Sequence, residues 1–333
     1  MTRALITGLG GFVASHLVEY LLEHTDWEII GTMRWNDPLD NLSGISDRLN
    51  RHNRVRIIYA DLTDAWSMAR AMRDSQPDYV FHLAAQSYPQ TSFSAPSETL
   101  HVNVNGTLNV LEAVREFAPH AKVHVCSSSE VYGKVSAQQI PITEDCPFHP
   151  ASPYAISKIG ADLLGQHYTQ AYGLHVQITR MFTHTGPRRG DVFAESSFSK
   201  QIAMIEAGLM PPSIKVGNVM SLRTIADVRD AVAAYHKLLT VNPVAGAIYN
   251  VGGEHTCTVG DILNHLISLS GVDCYVETDP ERLRPIDADN QVPNCYKFKA
   301  HTGWNPEISF EKTMADLLNY WRAKVKHSVV IQR

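Results

Sequence analysis

Leu5-Ile6-Thr7-Gly8-Leu9-Gly10-Gly11-Phe12-Val13-Ala14-Ser15 joins the end of a short β-rich run to the start of an amphipathic one through three glycines. Gly8 and Gly11 permit a tight turn and let a pyrophosphate come close to a helix N-terminus, while the small Ala14 lets helix and strand pack. A glycine turn alone is also a common structural device. Its place between a strand and a helix makes Gly8, Leu9, Gly10, Gly11, Phe12 and Val13 a candidate dinucleotide cradle.

Outward from this turn, β-rich runs at 3–7, 28–34, 55–60, 79–84, 122–127 and 175–182 alternate with amphipathic runs at 12–22, 65–73, 102–117 and 154–172. Apolar residues in the latter recur at three- and four-residue spacing, as at Leu17, Leu21 and Leu22. Near-continuous apolar strands alternating with helices predict a parallel sheet covered on both faces. The expected fold is α/β: a doubly wound parallel Rossmann sheet with a smaller interleaved C-terminal α/β substrate lobe. After residue 182 the rhythm breaks at Gly186-Pro187-Arg188-Arg189-Gly190 and Met210-Pro211-Pro212, which read as loops. A helix at 197–206, a strand at 213–216, a helix at 226–239 and a strand at 247–251 are expected next. The tail from Val259 reads as two further helices around a loop at 279–285. The expected division is 1–182 with 222–253 for the dinucleotide domain, and 183–221 with 254–326 for the second lobe.

At 333 residues and 44% hydrophobic, the chain can bury a large core. A net charge of −5 gives no general pull toward nucleic acid or an anionic membrane. No apolar run is long enough to span a bilayer, and Met1-Thr2-Arg3 leads straight into a strand, so neither a membrane span nor a secretory signal is expected. Cys126, Cys146, Cys257, Cys274 and Cys295 are odd in number and scattered, with no Cys-x-x-Cys pair. They read as buried or free thiols of a reducing, cytoplasmic setting. The 16 histidines form no His-Glu-x-x-His or Cys/His cluster, so no metal is expected.

Arg34 stands about twenty residues past the glycine turn, where an acid would hold the free ribose hydroxyls of NAD. An arginine there suits the extra phosphate of NADP; NAD stays possible with Asp37 as the ribose ligand. Asp61-Leu62 and Leu83-Ala84-Ala85-Gln86-Ser87 follow the third and fourth strands, at the ends where a nucleotide lies in this architecture. Tyr154 and Lys158 are four apart and share a helix face. An ammonium beside a phenol favours phenolate and pulls its pKa toward neutrality. Ser127-Ser128-Ser129-Glu130 adds four hydroxyl or carboxylate groups at the end of an apolar run. This is equipment for moving protons while a cofactor moves hydride.

Taken in order, Thr7-Gly8-x-x-Gly11-Phe12, Asp61-Leu62, His82-Leu83-Ala84-Ala85, Asn103-Val104-x-Gly106-Thr107, Tyr154-x-x-x-Lys158 and Gly303-Trp304 resemble the extended short-chain dehydrogenase/reductase family over nearly the whole chain. Ala85-Gln86-Ser87, Ser128-Ser129-Glu130-Val131-Tyr132-Gly133-Lys134, Pro187-Arg188-Arg189-Gly190 with Phe193, Val216-Gly217-Asn218 with Arg223, and Arg284-Pro285 are most similar to GDP-mannose 4,6-dehydratases and the neighbouring GDP-4-keto-6-deoxymannose reductases.

The resemblance implies a GDP-sugar enzyme with tightly held NADP. Tyr154 would be the base at the sugar O4, Lys158 its tuner and a ribose contact, Glu130 the C5/C6 acid–base, and Ser128 a contact to O4. It places His184 and Arg189 against the cofactor, with Ser87, Thr183, Lys200, Arg223 and Arg284 toward the substrate. Thr183 replaces a phosphate-contacting asparagine, Thr224-Ile225 an acidic–aromatic pair, and Ala14 the third glycine; the first two bear on sugar and base specificity. Ser129 stands where dTDP-glucose dehydratases carry an aspartate, so one carboxylate must serve both proton steps. The alternatives are a keto-sugar reductase or epimerase on the same fold, and a non-enzymatic NADP sensor, which would have no use for Tyr154 and Lys158. A homodimer or homotetramer is expected, with 102–117 and 154–172 as a candidate four-helix interface. Hexose and manno-heptose substrates are not separated by the sequence.

Overall fold

The computed structural model describes residues 1–50, 54–286 and 288–331. Seven parallel strands form its main sheet: β1 (Arg3–Thr7), β2 (Glu28–Met33), β3 (Val55–Tyr59), β4 (Tyr79–His82), β5 (Lys122–Cys126), β6 (His175–Met181) and, later in the chain, β10 (Ile248–Val251). Their order is β3-β2-β1-β4-β5-β6-β10, so the direction of winding reverses between β1 and β4. Successive residues of β1 show why both faces are covered. Ala4 and Ile6 enter one buried cluster and Leu5 the other, as a period of two requires.

The first face is covered by α1 (Phe12–His24), α8 (Val228–Thr240) and α10 (Tyr296–Thr302). The second is covered by α2 (Ala65–Ser75), α5 (Gly106–Phe117) and α6 (Pro153–Tyr172). Between α2 and α5 lie two short helices, α3 (Pro89–Ser94) and α4 (Pro96–Leu100), and a π-helical turn over His101–Asn105. The helix expected at 102–117 is therefore the end of a longer bent segment. Helix starts obey their local chemistry: Asp64 caps α2, Ser152 caps α6 ahead of Pro153, and Asp227 caps α8. No side chain caps α1.

The smaller lobe contains β7 (His184–Thr185), β8 (Ser213–Val216), β9 (Leu222–Asp227), β11 (His255–Thr258), β12 (Tyr275–Thr278) and β13 (Asn290–Gln291). β9 pairs with β7, β11 and β13, and β8 with β12. α7 (Ala194–Glu206), α9 (Val259–Ser270) and α11 (Phe310–Ile331) pack against them around Phe198, Ile202, Ile262, Met314 and Leu318.

Three expectations need correction. Strand β9 occupies 222–227, where helix was expected from 226, and helix starts only after the Asp227 cap. The region after Val259 holds three helices rather than two. The expected lobe boundary is crossed at α10, because Phe298 and Trp304 pack into the first face of the main sheet.

The loop after Glu130 is tied to this framework by a buried ion pair. Arg180 Nε lies 2.8 Å from Asp162 Oδ2, with side-chain exposures of 5% and 0%. The same guanidinium donates to Glu144 O at 2.8 Å and to Tyr132 Oη at 3.1 Å. Asp162→Asn leaves Arg180 buried without its counter-charge and is expected to cost about 3–5 kcal/mol. Urea unfolding checks it; a loss under about 1 kcal/mol, the range of exposed pairs, would show the pair adds little.

Burial also holds five histidines neutral. His16 and His236 are lowered from 6.5 to about 4, and His82, His124 and His184 to about 3, with desolvation the largest cause in each. Unfolding exposes them, so below pH about 6.5 the unfolded chain binds more protons and stability falls with pH. Each contributes up to about 1.4 kcal/mol per pH unit on the way down toward its folded value. The urea midpoint is expected to be lower at pH 5.5 than at pH 7.5; an equal or higher midpoint contradicts this.

Candidate active site

A cleft of about 1820 Å³ opens over the C-terminal ends of β1, β2, β4, β5 and β6 and runs into the smaller lobe. A site for one small ligand is about 300–1,000 Å³, so this volume suits two ligands side by side.

One half fits a nicotinamide dinucleotide. Gly8 has φ +74° and its missing Cβ would lie 3.0 Å from Ala84 Cα, which brings the β1 and β4 turns into contact. The α1 N-cap is Gly11, with no side-chain cap and no acid in the first turn. The first amides of the helix thus face the cleft ready for an anion. Beside them, His184 stacks on Phe12 at 5.9 Å and 11°, its Nδ1 against Phe182 O at 3.1 Å and its buried Nε2 without a partner. Arg189 lies over Phe193 at 3.4 Å and Phe12 at 5.2 Å, and its Nε is 3.5 Å from Glu195 Oε1 without forming a hydrogen bond. These orphaned polar atoms are what a cofactor would satisfy.

Leu9, Gly10, Val13, Leu83, Ala85 and Ser87 complete that wall or adjoin it. Leu9 is the exception to the expected cradle. It is fully buried under Gly31 and does not line the cleft. Arg34 lines the far end but is gripped by Asp37, with Nε to Oδ1 at 2.9 Å. Asp61 reaches the cleft while its Oδ1 accepts from Thr63 N at 2.8 Å, and Leu62 backs the wall against Gly106. Gln86 is at the wall, yet its carboxamide is spent on Thr99 Oγ1 at 2.9 Å and Tyr88 N at 2.6 Å.

The proton-handling groups converge where β5 ends. Tyr154 is buried on α6, and the Ser128 hydroxyl at the end of β5 favours its ionised form. Glu130 sits on a 3₁₀ turn over Ser129–Tyr132, whose cap is the same Ser128 Oγ, accepting from Glu130 N at 3.2 Å. Gly133 closes the turn at φ +53°, where a Cβ would be 1.6 Å from His149 O. Only glycine fits that approach. The Glu130 side chain is 17% exposed, lines the cleft and lies 3.7 Å from Arg284 Nη1.

The ammonium–phenol expectation is corrected here. Lys158 Nζ donates to Cys126 O at 2.8 Å and stands 5.9 Å from the Tyr154 ring centroid. The Tyr154 phenol is pushed above its ordinary value, chiefly by burial, then by Cys126, with Glu130 adding to the shift while Ser128 and Arg189 oppose it. Desolvation lowers Lys158 in turn. Without a cationic ring beside it, this tyrosine is a neutral phenol.

On the substrate side, Thr183, Lys200, Arg223 and Arg284 all line the cleft. Lys200 pairs with Asp191 at 2.6 Å, and Arg223 Nη1 donates to Ala288 O at 2.8 Å. Sequence reasoning missed Glu195, Asn218 and Arg282. Arg282 donates to Ser197 Oγ at 2.9 Å. Its neighbour Arg284 was a signal for it, and Asn218 stood in the Val216-Gly217-Asn218 motif without being assigned a site; Glu195 gave none, because only the fold brings it to the cleft. All five cysteines are free, no metal-holding cluster occurs among the described residues, and no helix there is long and apolar enough to cross a membrane.

This geometry has close relatives. A family model described as GDP-mannose 4,6 dehydratase matches residues 5–317. GDP-6-deoxy-D-mannose reductase of Pseudomonas aeruginosa is 32% identical over 97% of this chain and 98% of its own. GDP-mannose 4,6 dehydratase 2 of Arabidopsis thaliana is 34% identical over 93% of this chain and 84% of its own. The solved structure of RMD from Pseudomonas aeruginosa complexed with NADPH superposes with a TM-score of 0.82 at 30% identity, covering 97% of this chain and 100% of that one. With its glycine cradle, its Tyr154/Lys158 helix and these matches across almost its full length, the chain belongs to the GDP-mannose 4,6 dehydratase family of the extended short-chain dehydrogenases/reductases.

Proposed function

We propose that this protein is a GDP-sugar 4,6-dehydratase, taking GDP-mannose or GDP-manno-heptose to the 4-keto-6-deoxy product with NADP retained throughout. The observation that carries this is Glu130: a carboxylate inside the cleft, close enough to Tyr154 to act on it electrostatically. A bound nicotinamide supplies the hydride acceptor at C4 and the hydride donor at C6. Tyr154 takes the O4 proton and later keeps the ketone oriented with Ser128. The 4-ketone acidifies C5–H, Glu130 removes that proton, and the resulting carboxylic acid protonates O6 as the C6–O bond breaks and water leaves. Because the two steps are consecutive, one carboxylate serves both, each gaining roughly 10²–10⁴-fold from acid–base assistance. As C6 is reduced, C5 takes the proton that Tyr154 had accepted from O4, so that both Tyr154 and Glu130 return to their starting states.

NADP is favoured over NAD by Arg34 at the adenosine end, which Asp37 orients and holds charged. A homo-oligomer is supported by exposed Leu100, Leu108, Ile156, Leu163 and Tyr172 on α4, α5 and α6. The second reading, reduction of a 4-keto GDP-sugar, is favoured by the near end-to-end match to the Pseudomonas reductase. It would use the same Tyr154 and Lys158, with no demand on Glu130.

Incubation with GDP-mannose and no added reductant is expected to give a 4-keto product with no net change in NADPH; untouched GDP-mannose would leave the reductase reading. Glu130→Gln is expected to keep cofactor and lose at least about 100-fold in product formation. Unchanged turnover in that variant removes elimination. Arg34→Ala is expected to weaken NADP by about tenfold and NAD hardly at all, since a charge-assisted phosphate contact is worth about 1.5 kcal/mol or more. Fluorescence titration with both cofactors checks it, and equal losses reject the phosphate role.

A further inference from the structure

We propose that Ser196, aimed by Trp321, is a positioning residue that sets Arg189 against the bound dinucleotide; this rests on the cofactor reading above. Arg189 belongs to the turn Gly186-Pro187-Arg188-Arg189-Gly190, which follows β7 and leads toward α7. Arg188 has φ +73°, a left-handed backbone that a residue with a Cβ keeps only when its surroundings impose it. On one side α1 imposes it. His16 Nε2 donates to Pro187 O at 2.9 Å, while Arg188 donates to Glu19 Oε1 at 2.5 Å and to Ser15 Oγ at 3.3 Å.

On the other side the first turn of α7 meets Arg189 at both ends. Glu195 faces the guanidinium, but Nε and Oε1 are 3.5 Å apart and each is left without a hydrogen bond. Charge draws the side chain near without fixing where it stands. Ser196 fixes it at the root. Its Oγ donates to Arg189 O at 2.7 Å and accepts from Trp321 Nε1 of α11 at 2.8 Å. The direction follows from the partners: an indole N–H only donates and a carbonyl only accepts, so the hydroxyl proton must point at Arg189. Ser196 is fully buried and does not line the cleft, so it acts on a ligand only through what it places. The Arg189 guanidinium does line the cleft, over Phe193 and over Phe12, the residue next to the Gly11 N-cap that no side chain caps. An anion received by the α1 amides meets this guanidinium beside it. Losing the Ser196 hydroxyl frees the Arg189 carbonyl, moves the base of the side chain and loosens that contact.

The test is fluorescence titration with NADPH, reading Ser196→Ala in three settings: the otherwise unsubstituted protein, Arg189→Met and Arg34→Ala. Ser196→Ala alone is expected to weaken NADPH by about three- to tenfold, the range of one buried hydrogen bond. Beside Arg189→Met the loss is expected to vanish; beside Arg34→Ala, at the far end of the cleft, it is expected to persist in full. An equal loss beside Arg189→Met would mean a general loosening of the fold and overturns the proposal, as does no loss in the unsubstituted setting. Trp321→Phe keeps a ring and removes the donor that aims the hydroxyl, so it is expected to cost part of the same factor and to add nothing to Ser196→Ala. Should Ser196→Ala not fold, Trp321→Phe takes its place in the three settings under the same criteria. If the unsubstituted protein binds neither NADPH nor NADH, the cofactor reading falls and takes the proposal with it; binding without the pattern above removes the proposal alone.

Discussion

One hydroxyl, Thr7 Oγ1, holds the floor of the cleft together. It accepts from Leu83 N and Ala84 N, each at 3.0 Å, and lies 3.0 Å from His82 Nδ1. With both lone pairs spent, its proton must go to Nδ1, so His82 carries its own proton on Nε2. That proton is donated to Thr107 Oγ1 at 3.0 Å, and Thr107 passes its own to Asn103 O at 2.6 Å. The chain runs in one direction and works only with a neutral imidazole, which is the state burial enforces at His82. It fixes the β1 and β4 ends at the point where the sheet reverses direction, and hence the α1 N-terminus and the Leu83–Gln86 wall. Asn103 extends it to α6 through Ser157 Oγ at 2.8 Å, three residues past Tyr154. Cradle and catalytic helix are thereby placed by one connected set of bonds.

That placement explains why the phenol is not activated on its own. A tyrosine buried in the cleft wall loses solvation for its anion, and Lys158 spends a donor on the Cys126 carbonyl. An oxidised nicotinamide ring lying above Tyr154 would add positive charge to the weak pull of Arg189, favouring proton release further.

Much of this was legible in the residues. Alternation of strand and helix, the Gly8–Gly11 turn, and the Tyr154/Lys158 spacing are local patterns tied to local geometry, and the Rossmann sheet with the glycine turn lining its cleft follows from them. What escaped is what long-range packing decides. The end of β9 reads as helix because Ala226 and Asp227 lead straight into the apolar run of α8, yet the strand's backbone is claimed by β7, β11 and β13. The lysine's partner could not be read, since helical spacing says that two side chains share a face and not what else competes for them. Glu195 reaches the site from the first turn of α7 and Arg282 from a short 3₁₀ turn, and neither position carries a local pattern that points to a ligand. Leu9 sits inside the glycine motif but serves the core beneath β2, a reminder that a motif position and a ligand contact are different things.

The physical case for elimination over reduction lies in what it costs to keep Glu130 where it is. A carboxylate drawn to 17% exposure loses much of its hydration, and the arginine drawn in with it loses some of its own. Such pairs recover their desolvation only in good geometry, and 3.7 Å without a hydrogen bond is poor geometry. A keto-sugar reductase needs hydride, a tyrosine and a hydroxyl, all present here without the pair, and a neutral side chain at 130 would serve it at lower cost. A dehydratase needs a group able to accept one proton and return one within a single residence of the sugar. Ser129 adds no second acid, so that demand falls on Glu130 alone. The Arg284 guanidinium 3.7 Å away offsets part of that charge's desolvation, which lets a lone carboxylate persist on the cleft wall.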